Sequence, residues 1–219
     1  MFLYIARHGE SNGNTGADNT VDPLLTPRGE AQARSLGERL SKLGFDGIFA
    51  STLTRAIQTA AAVASRQPGA PAKIELLSDL VECGTAPGWR GRPEDELLKV
   101  YPGLVFCPDP APTGGPARAE AEDDAGQLAR AYRVVSYIRR RFDPDSEAKV
   151  LCVAHGGFNQ KLLSAAMNWG AVSGAIYSQN NACLNLVQFF RGDRGEARVR
   201  LCYSNDISHL AAENLDHRD

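Results

Sequence analysis

Two histidines in this chain stand where short apolar runs end. Phe2-Leu3-Tyr4-Ile5-Ala6 is followed at once by Arg7-His8-Gly9-Glu10-Ser11, and Val150-Leu151-Cys152-Val153-Ala154 by His155-Gly156-Gly157. The carboxyl end of a strand is where an α/β protein places its chemistry. Either histidine alone reads equally well as a hydrogen-bonded structural residue. A third segment tips the reading. The strand-like run Gly47-Ile48-Phe49-Ala50 leads into Ser51-Thr52-Leu53-Thr54-Arg55-Ala56-Ile57-Gln58-Thr59-Ala60, which opens a helix. Arg55 then projects from a helix N-terminus, where free backbone N–H groups and the helix dipole favour anions. Imidazole and guanidinium groups gathered at such a place are suited to holding an anion and attacking it.

The elements that must position these residues are legible as alternating patterns. Strand-like runs at Phe2–Ala6, Gly47–Ala50, Lys73–Leu77 and Val150–Ala154 alternate with helical periodicity, which predicts a largely parallel sheet covered by helices on both faces. The first helix starts with Thr26 as N-cap and Pro27 at its first position, lines up Ala33, Leu36, Leu40 and Leu43, and meets a stop at Gly44. A second covers 53–65, and a long one runs from about Ala119 to Phe142, its Arg139-Arg140-Arg141 end complementing the dipole. The acidic run Ala119-Glu120-Ala121-Glu122-Asp123-Asp124 reads as its solvated start. A short helix follows His155, and Leu184–Phe190 with Ala197–Tyr203 form a closing hairpin.

In Arg7-His8-Gly9-Glu10-Ser11, Asn14, the 51–60 segment and His155-Gly156, the sequence resembles the histidine phosphatase superfamily, which also contains the cofactor-dependent phosphoglycerate mutases. Weaker matching signals are Leu24-Thr26-Gly29-Ala33, Asn181 and Ser208-His209-Leu210, so the likeness runs nearly from end to end. It implies a three-layer α/β/α sandwich with a mostly parallel central sheet. It also implies a phosphomonoester hydrolase that works through phosphohistidine, without metal or other cofactor.

The residue chemistry fits that implication. A phosphoryl group carries two negative charges at neutral pH. Arg7, Arg55 and His155 can surround its oxygens with positive charge, and paired guanidinium hydrogen bonds suit phosphate better than an ammonium does. Neutral His8 can attack phosphorus, provided its other ring nitrogen holds the proton, most simply by donating to a backbone carbonyl. Ser11 and Asn14 add neutral donors, which the resemblance places in or beside the phosphate pocket. The leaving alkoxide needs a proton. Glu82, after the run Ile74–Val81, takes that role by resemblance: acid first, then base for water.

The stretch beyond Glu82 departs from the family pattern. Glu82-Cys83-Gly84-Thr85-Ala86-Pro87-Gly88-Trp89-Arg90-Gly91 spaces the tryptophan further out, and arginine stands where an acid is common. The region 83–116 is rich in proline and glycine, with a short helix only near Glu94–Tyr101, and it reads as the roof of the pocket. Arg90 and Arg92 in that roof are either solvated or placed to meet a second anionic group of the substrate. Trp89 is either a packing residue or a substrate contact. A mutase would use the same residues, but Asn12–Asn19 lacks the aromatic Gly-Trp pattern of mutases. A non-catalytic phospholigand binder on this fold would have no need of an in-line nucleophile.

The bulk properties bound the rest. The 219 residues fit a single domain, 1–219, able to bury its own core. A net charge of −2 leaves no broad cationic face for nucleic acid. No apolar run approaches the ~20 residues of a membrane span, and no signal segment is evident, so a cytoplasmic enzyme is expected. Its partner is a small phosphorylated metabolite, a phosphoprotein being the other substrate this chemistry admits, and oligomeric state stays open. The five cysteines, Cys83, Cys107, Cys152, Cys183 and Cys202, lack zinc spacing, and an odd number cannot pair completely. Cys152, Cys183 and Cys202 are expected to be buried. His209 reads as structural and His217 as part of a terminal tail.

Overall fold

The computed structural model describes residues 1–69, 72–85, 92–106, 122–168, 178–211 and 214–215. Trp89, Arg90, Cys107 and His217 lie outside these. In chain order the elements are β1 (Phe2–Arg7), α1 (Pro27–Leu40), β2 (Gly47–Ala50), α2 (Thr54–Ala64), β3 (Ile74–Leu76), α3 (Glu94–Val100) and β4 (Leu104–Phe106). They continue with α4 (Asp124–Arg141), β5 (Lys149–Ala154), α5 (Gly156–Met167), β6 (Leu184–Arg191), β7 (Ala197–Asp206) and α6 (Ser208–Ala211). Among the described residues one seven-stranded sheet has the order β4-β3-β2-β5-β1-β6-β7. The first five are mutually parallel, and β6 and β7 complete the sheet antiparallel.

Two cores lie on opposite faces, because side chains alternate along a strand. Leu3, Ile5, Phe49, Val150 and Cys152 pack with Leu128, Val135 and Ile138 of α4 and Phe158 and Leu162 of α5. Tyr4, Ala6, Ile48, Leu151 and Val153 pack with Leu36 and Leu40 of α1 and Ile57, Ala60 and Val63 of α2. The two helix pairs therefore sandwich the sheet, and each fully buried Leu, Ile or Phe contributes roughly 1.5–3 kcal/mol.

The local signals behave as their chemistry requires. Thr26 caps α1, its hydroxyl accepting from Gly29 N–H at 3.0 Å, and Pro27 opens the helix. α1 ends at Leu40 with Ser41 as C-cap, short of Gly44, although Leu43 still packs on the core. Four expectations need correction. The insertion after Glu82 is not merely irregular: β4 inside it adds an edge to the sheet, a strand of three residues too short to show periodicity. α4 begins at Asp124, with Asp123 as N-cap accepting from Gly126 N–H at 2.7 Å. Glu122 is no solvated helix start but is 13% exposed and bonded to Arg130. Cys202 is exposed on edge strand β7, whereas Cys152 and Cys183 are buried.

Candidate active site

Register brings the chemistry together. β5 lies between β1 and β2, with Ala154 opposite Arg7 and Val153 opposite Ala50. The ladder runs one residue further: His8 N–H donates to Ala154 O and Ser51 N–H to Val153 O, both at 3.0 Å. His8, His155 and Ser51 thus leave three adjacent strands at the same end of the sheet. The chain then turns into α5 directly after His155, and into α2 at Thr54, which places Arg55 in the first turn.

Close backbone approach fixes the loop after His8. A Cβ on Gly9 would stand 2.3 Å from Gly29 O, and one on Gly29 would stand 1.9 Å from Glu10 O, so the loop lies directly on the start of α1.

His8 is 3% exposed, and its Nδ1 lies 2.6 Å from Gly9 O. A carbonyl can only accept, so Nδ1 carries the proton and Nε2 presents its lone pair. Gly9 O is thus the carbonyl that sequence reasoning required but could not identify. Arg55 Nε donates to that lone pair at 3.3 Å. Burial, then Arg7 and Arg55, holds the His8 pKa well below the ordinary 6.5, so the ring is a neutral base at neutral pH.

His155 is completely buried, with its ring centroid 5.1 Å from that of His8 and its Nε2 2.8 Å from Ser51 Oγ. Burial first, then His8 and the two arginines, lowers its pKa well below 6.5. This corrects one expectation: the free site holds His155 neutral, because a third cation beside Arg7 and Arg55 in a desolvated pocket is too costly. Its part is that of a positioned ring nitrogen, and the resident charge comes from the two guanidinium groups.

Arg7 is anchored by Nη1 donating to Gln179 O at 2.6 Å. Gln179 is in turn locked by reciprocal amide bonds with Asn185 at 3.0 and 3.1 Å, and Asn185 Nδ2 donates to Ile5 O at 2.9 Å. Sequence reasoning missed Gln179 and Asn185, whose polar side chains carry no motif, and gave Ser51 no role although it opens the matching 51–60 segment. Among the described residues Arg7 Nε, Arg55 Nη1 and His155 Nδ1 are buried nitrogens without a hydrogen-bond partner. Leaving such groups unsatisfied costs about 1–3 kcal/mol each; an entering oxyanion would relieve it by accepting from the two guanidinium N–H groups, and from His155 Nδ1 in the tautomer whose Nε2 accepts from Ser51 Oγ.

Asn14 Oδ1 accepts from Ser11 N–H (3.0 Å), Ser11 Oγ (3.1 Å) and Asn181 Nδ2 (3.1 Å), and Asn181 Nδ2 also reaches His8 O at 3.3 Å. With the oxygen engaged, the amide N–H groups are what exposed Asn14 has left to offer a ligand. The Ser11 hydroxyl proton, by contrast, is committed within the loop.

The Glu82 carboxylate sits at the N-terminus of α5. Oε1 accepts from Cys83 and Phe158 N–H groups at 2.8 Å, and Oε2 from Gly157 N–H at 3.1 Å. It replaces the local side-chain cap that α5 lacks. The two glycines after His155 make this possible: a Cβ on Gly157 would come within 2.8 Å of Glu82 Oε1, and one on Gly156 within 3.3 Å of Arg7 Nε. Glu82 is near enough to act electrostatically on both Arg7 and Arg55. Burial and the Glu82 charge push the neighbouring Cys83 thiol up to about 11, so it is protonated at neutral pH.

Arg92 has an internal partner. Its Nε donates to Asp22 Oδ2 at 3.1 Å, and buried Asp22 also accepts from Thr54 N–H at 2.7 Å and Thr54 Oγ1 at 2.5 Å. Rather than standing free for a second anion, Arg92 ties the start of the segment before α3 to the first turn of α2, next to Arg55. Asp22 was missed because its cap is supplied from 32 residues away.

Residues 3–201 match the model of the histidine phosphatase superfamily, branch 1. The chain belongs to that superfamily. A glucosyl-3-phosphoglycerate phosphatase of Mycolicibacterium vanbaalenii is 30% identical over 183 residues, covering 78% of this chain and 79% of the relative. The mitochondrial serine/threonine-protein phosphatase Pgam5 of Drosophila virilis is 26% identical over 99% of this chain, which spans 66% of that protein's length. Among solved structures, a mycobacterial glucosyl-3-phosphoglycerate phosphatase in complex with VO3 superposes with a TM-score of 0.66 at 25% identity, covering 93% of this chain and 98% of that one. This histidine phosphatase is accordingly an enzyme of the phosphatase class with the expected α/β architecture. Among the described residues no helix is long and apolar enough to cross a membrane.

Proposed function

We propose that this histidine phosphatase hydrolyses phosphate monoesters of small metabolites through a phosphohistidine at His8. The observation that carries this reading is the neutral His8 Nε2, oriented by Gly9 O, amid Arg7 Nε, Arg55 Nη1 and His155 Nδ1, which lack partners among the described residues. In the first step the Nε2 lone pair forms the N–P bond and the P–O bond to the leaving group breaks, with Glu82 in its acid form giving that oxygen a proton. In the second step water attacks phosphorus and gives its proton to the Glu82 carboxylate, and the N–P electron pair returns to Nε2. Among the described residues Oε2 accepts one N–H where Oε1 accepts two, which supports Oε2 as the oxygen that carries the proton. The guanidinium groups stabilise charge on the non-bridging oxygens, which is most of what phosphoryl transfer asks of a protein.

The name of the Mycolicibacterium relative makes a phosphoglycerate-containing ester the first substrate class to test. We read the 219 residues as one domain with 83–116 as its roof, in a reducing cytoplasm that suits the free thiols of Cys83, Cys152 and Cys183. A turnover panel of phosphorylated metabolites tests the reading. Inorganic phosphate should be released with little transfer to 3-phosphoglycerate, and His8→Ala should lose at least ~10³-fold in turnover. Normal turnover by His8→Ala, or phosphoglycerate interconversion outrunning phosphate release, would overturn it.

A further inference from the structure

We propose that Arg130 is a positioning residue for Glu82, an inference that rests on reading Glu82 as the proton donor. Arg130 of α4 is 1% exposed, one of the largest fully buried side chains in the protein. Removing a guanidinium from water is costly unless its donors are matched. Its Nη1 donates to Asp79 O and Val81 O, both at 2.7 Å, the second being the carbonyl immediately before Glu82. Nε and Nη2 meet the Glu122 carboxylate at 3.0–3.1 Å. The guanidinium carbon lies 4.1 Å from the centre of the Phe158 ring, and Phe158 is the residue whose N–H donates to Glu82 Oε1.

One cation therefore holds both sides of the Glu82 carboxylate: the backbone that delivers it and the residue that receives it. Arg133 fastens the same turn from the solvent side, its Nε and Nη2 meeting the Asp79 carboxylate at 3.1 and 3.2 Å. A core that needed only packing between α4 and α5 would be served by an aliphatic side chain, since buried ion pairs are often replaceable by apolar residues without loss of stability. What an aliphatic residue cannot do is bind two carbonyls and an aromatic face at once. Proton delivery depends on such placement, and a displacement of about 1 Å can cost about 10²-fold in rate.

The test is the dependence of kcat/KM on leaving-group basicity, measured from 2,4-dinitrophenyl phosphate to an alkyl phosphate for wild type, Glu82→Gln and Arg130→Lys. A dinitrophenolate departs without a proton and an alkoxide does not. Glu82→Gln should lose about 10²-fold or more on the alkyl ester and far less on the dinitrophenyl ester. Arg130→Lys, which keeps the charge but not the fork, should show the same tilt at about 10-fold or more, carried by kcat with KM little changed. If Arg130→Lys does not fold, the double variant Arg130→Met/Glu122→Leu, which removes the pair as a unit, serves in its place. A uniform loss across the series in the Arg130 variants, with the tilt present in Glu82→Gln, would overturn the role of Arg130 and leave Glu82 standing. No tilt in Glu82→Gln would remove the proton donor and this proposal with it.

Discussion

At the scale of single residues, the free site keeps two imidazoles neutral beside two fixed cations. Burial and the guanidinium groups lower the pKa of His8 and of His155 below the ordinary 6.5. In the unfolded chain both rings titrate near that value. Below it the unfolded state binds more protons than the native one, so stability is full above about pH 6.5 and falls as pH drops beneath it. Thermal unfolding followed from pH 8 to pH 5 should show this fall in Tm, and His8→Asn should make it shallower. An unchanged slope in that variant would show that His8 is not held neutral by the fold. His8, Arg7, Arg55 and His155 were legible in the sequence because each stands beside an apolar run or a helix start. Gln179, Asn185 and Asp22 were not: buried polar residues that act by hydrogen-bonding to other parts of the site leave no pattern along the chain, and even Ser51, inside a matching segment, gave no sign that its hydroxyl meets His155.

At the scale of elements, the two helices that open into the site are both capped by acids from distant segments. α5 receives Glu82 and α2 receives Asp22, whereas sequence rules detect only caps supplied within a few residues. The same arrangement favours glycine at position 157, where a Cβ would press on the Glu82 carboxylate. Gly157→Ala puts a methyl 2.8 Å from Glu82 Oε1, close enough to displace the carboxylate, and turnover of an alkyl phosphate should fall by about 10²-fold with the fold retained. An alanine variant with wild-type kinetics would show that the carboxylate has another place to work. Asp22 yields a second prediction. Arg92→Ala should lower turnover of an aryl phosphate and of a doubly anionic substrate alike, because it frees the segment before α3 from Asp22 and Thr54, and Asp22→Asn should behave similarly. A rise in KM confined to the doubly anionic substrate would instead make Arg92 a clamp for a second anion.

At the scale of the whole molecule, alternating apolar runs and helical periodicity made the layered α/β sandwich legible, yet not the order of its strands. That order is what builds the site. Only because β5 inserts between β1 and β2 do residues 8, 51 and 155 emerge side by side, and nothing local to those strands encodes their neighbours. The edge strand β4 was hidden for a different reason, having three residues within a stretch dominated by proline and glycine. Fold and chemistry meet in one atom, His8 Nε2, since Nδ1 is committed to Gly9 O. The most direct measurement is therefore the isolation of the phosphoenzyme during turnover of a good-leaving-group substrate, using Glu82→Gln to slow the hydrolysis step. Acid-labile, alkali-stable phosphate should be found on the peptide bearing His8, attached at Nε2 by phosphorus NMR, and should be absent from His8→Ala. Phosphate on another residue, attachment at Nδ1, or steady turnover by His8→Ala would contradict the account.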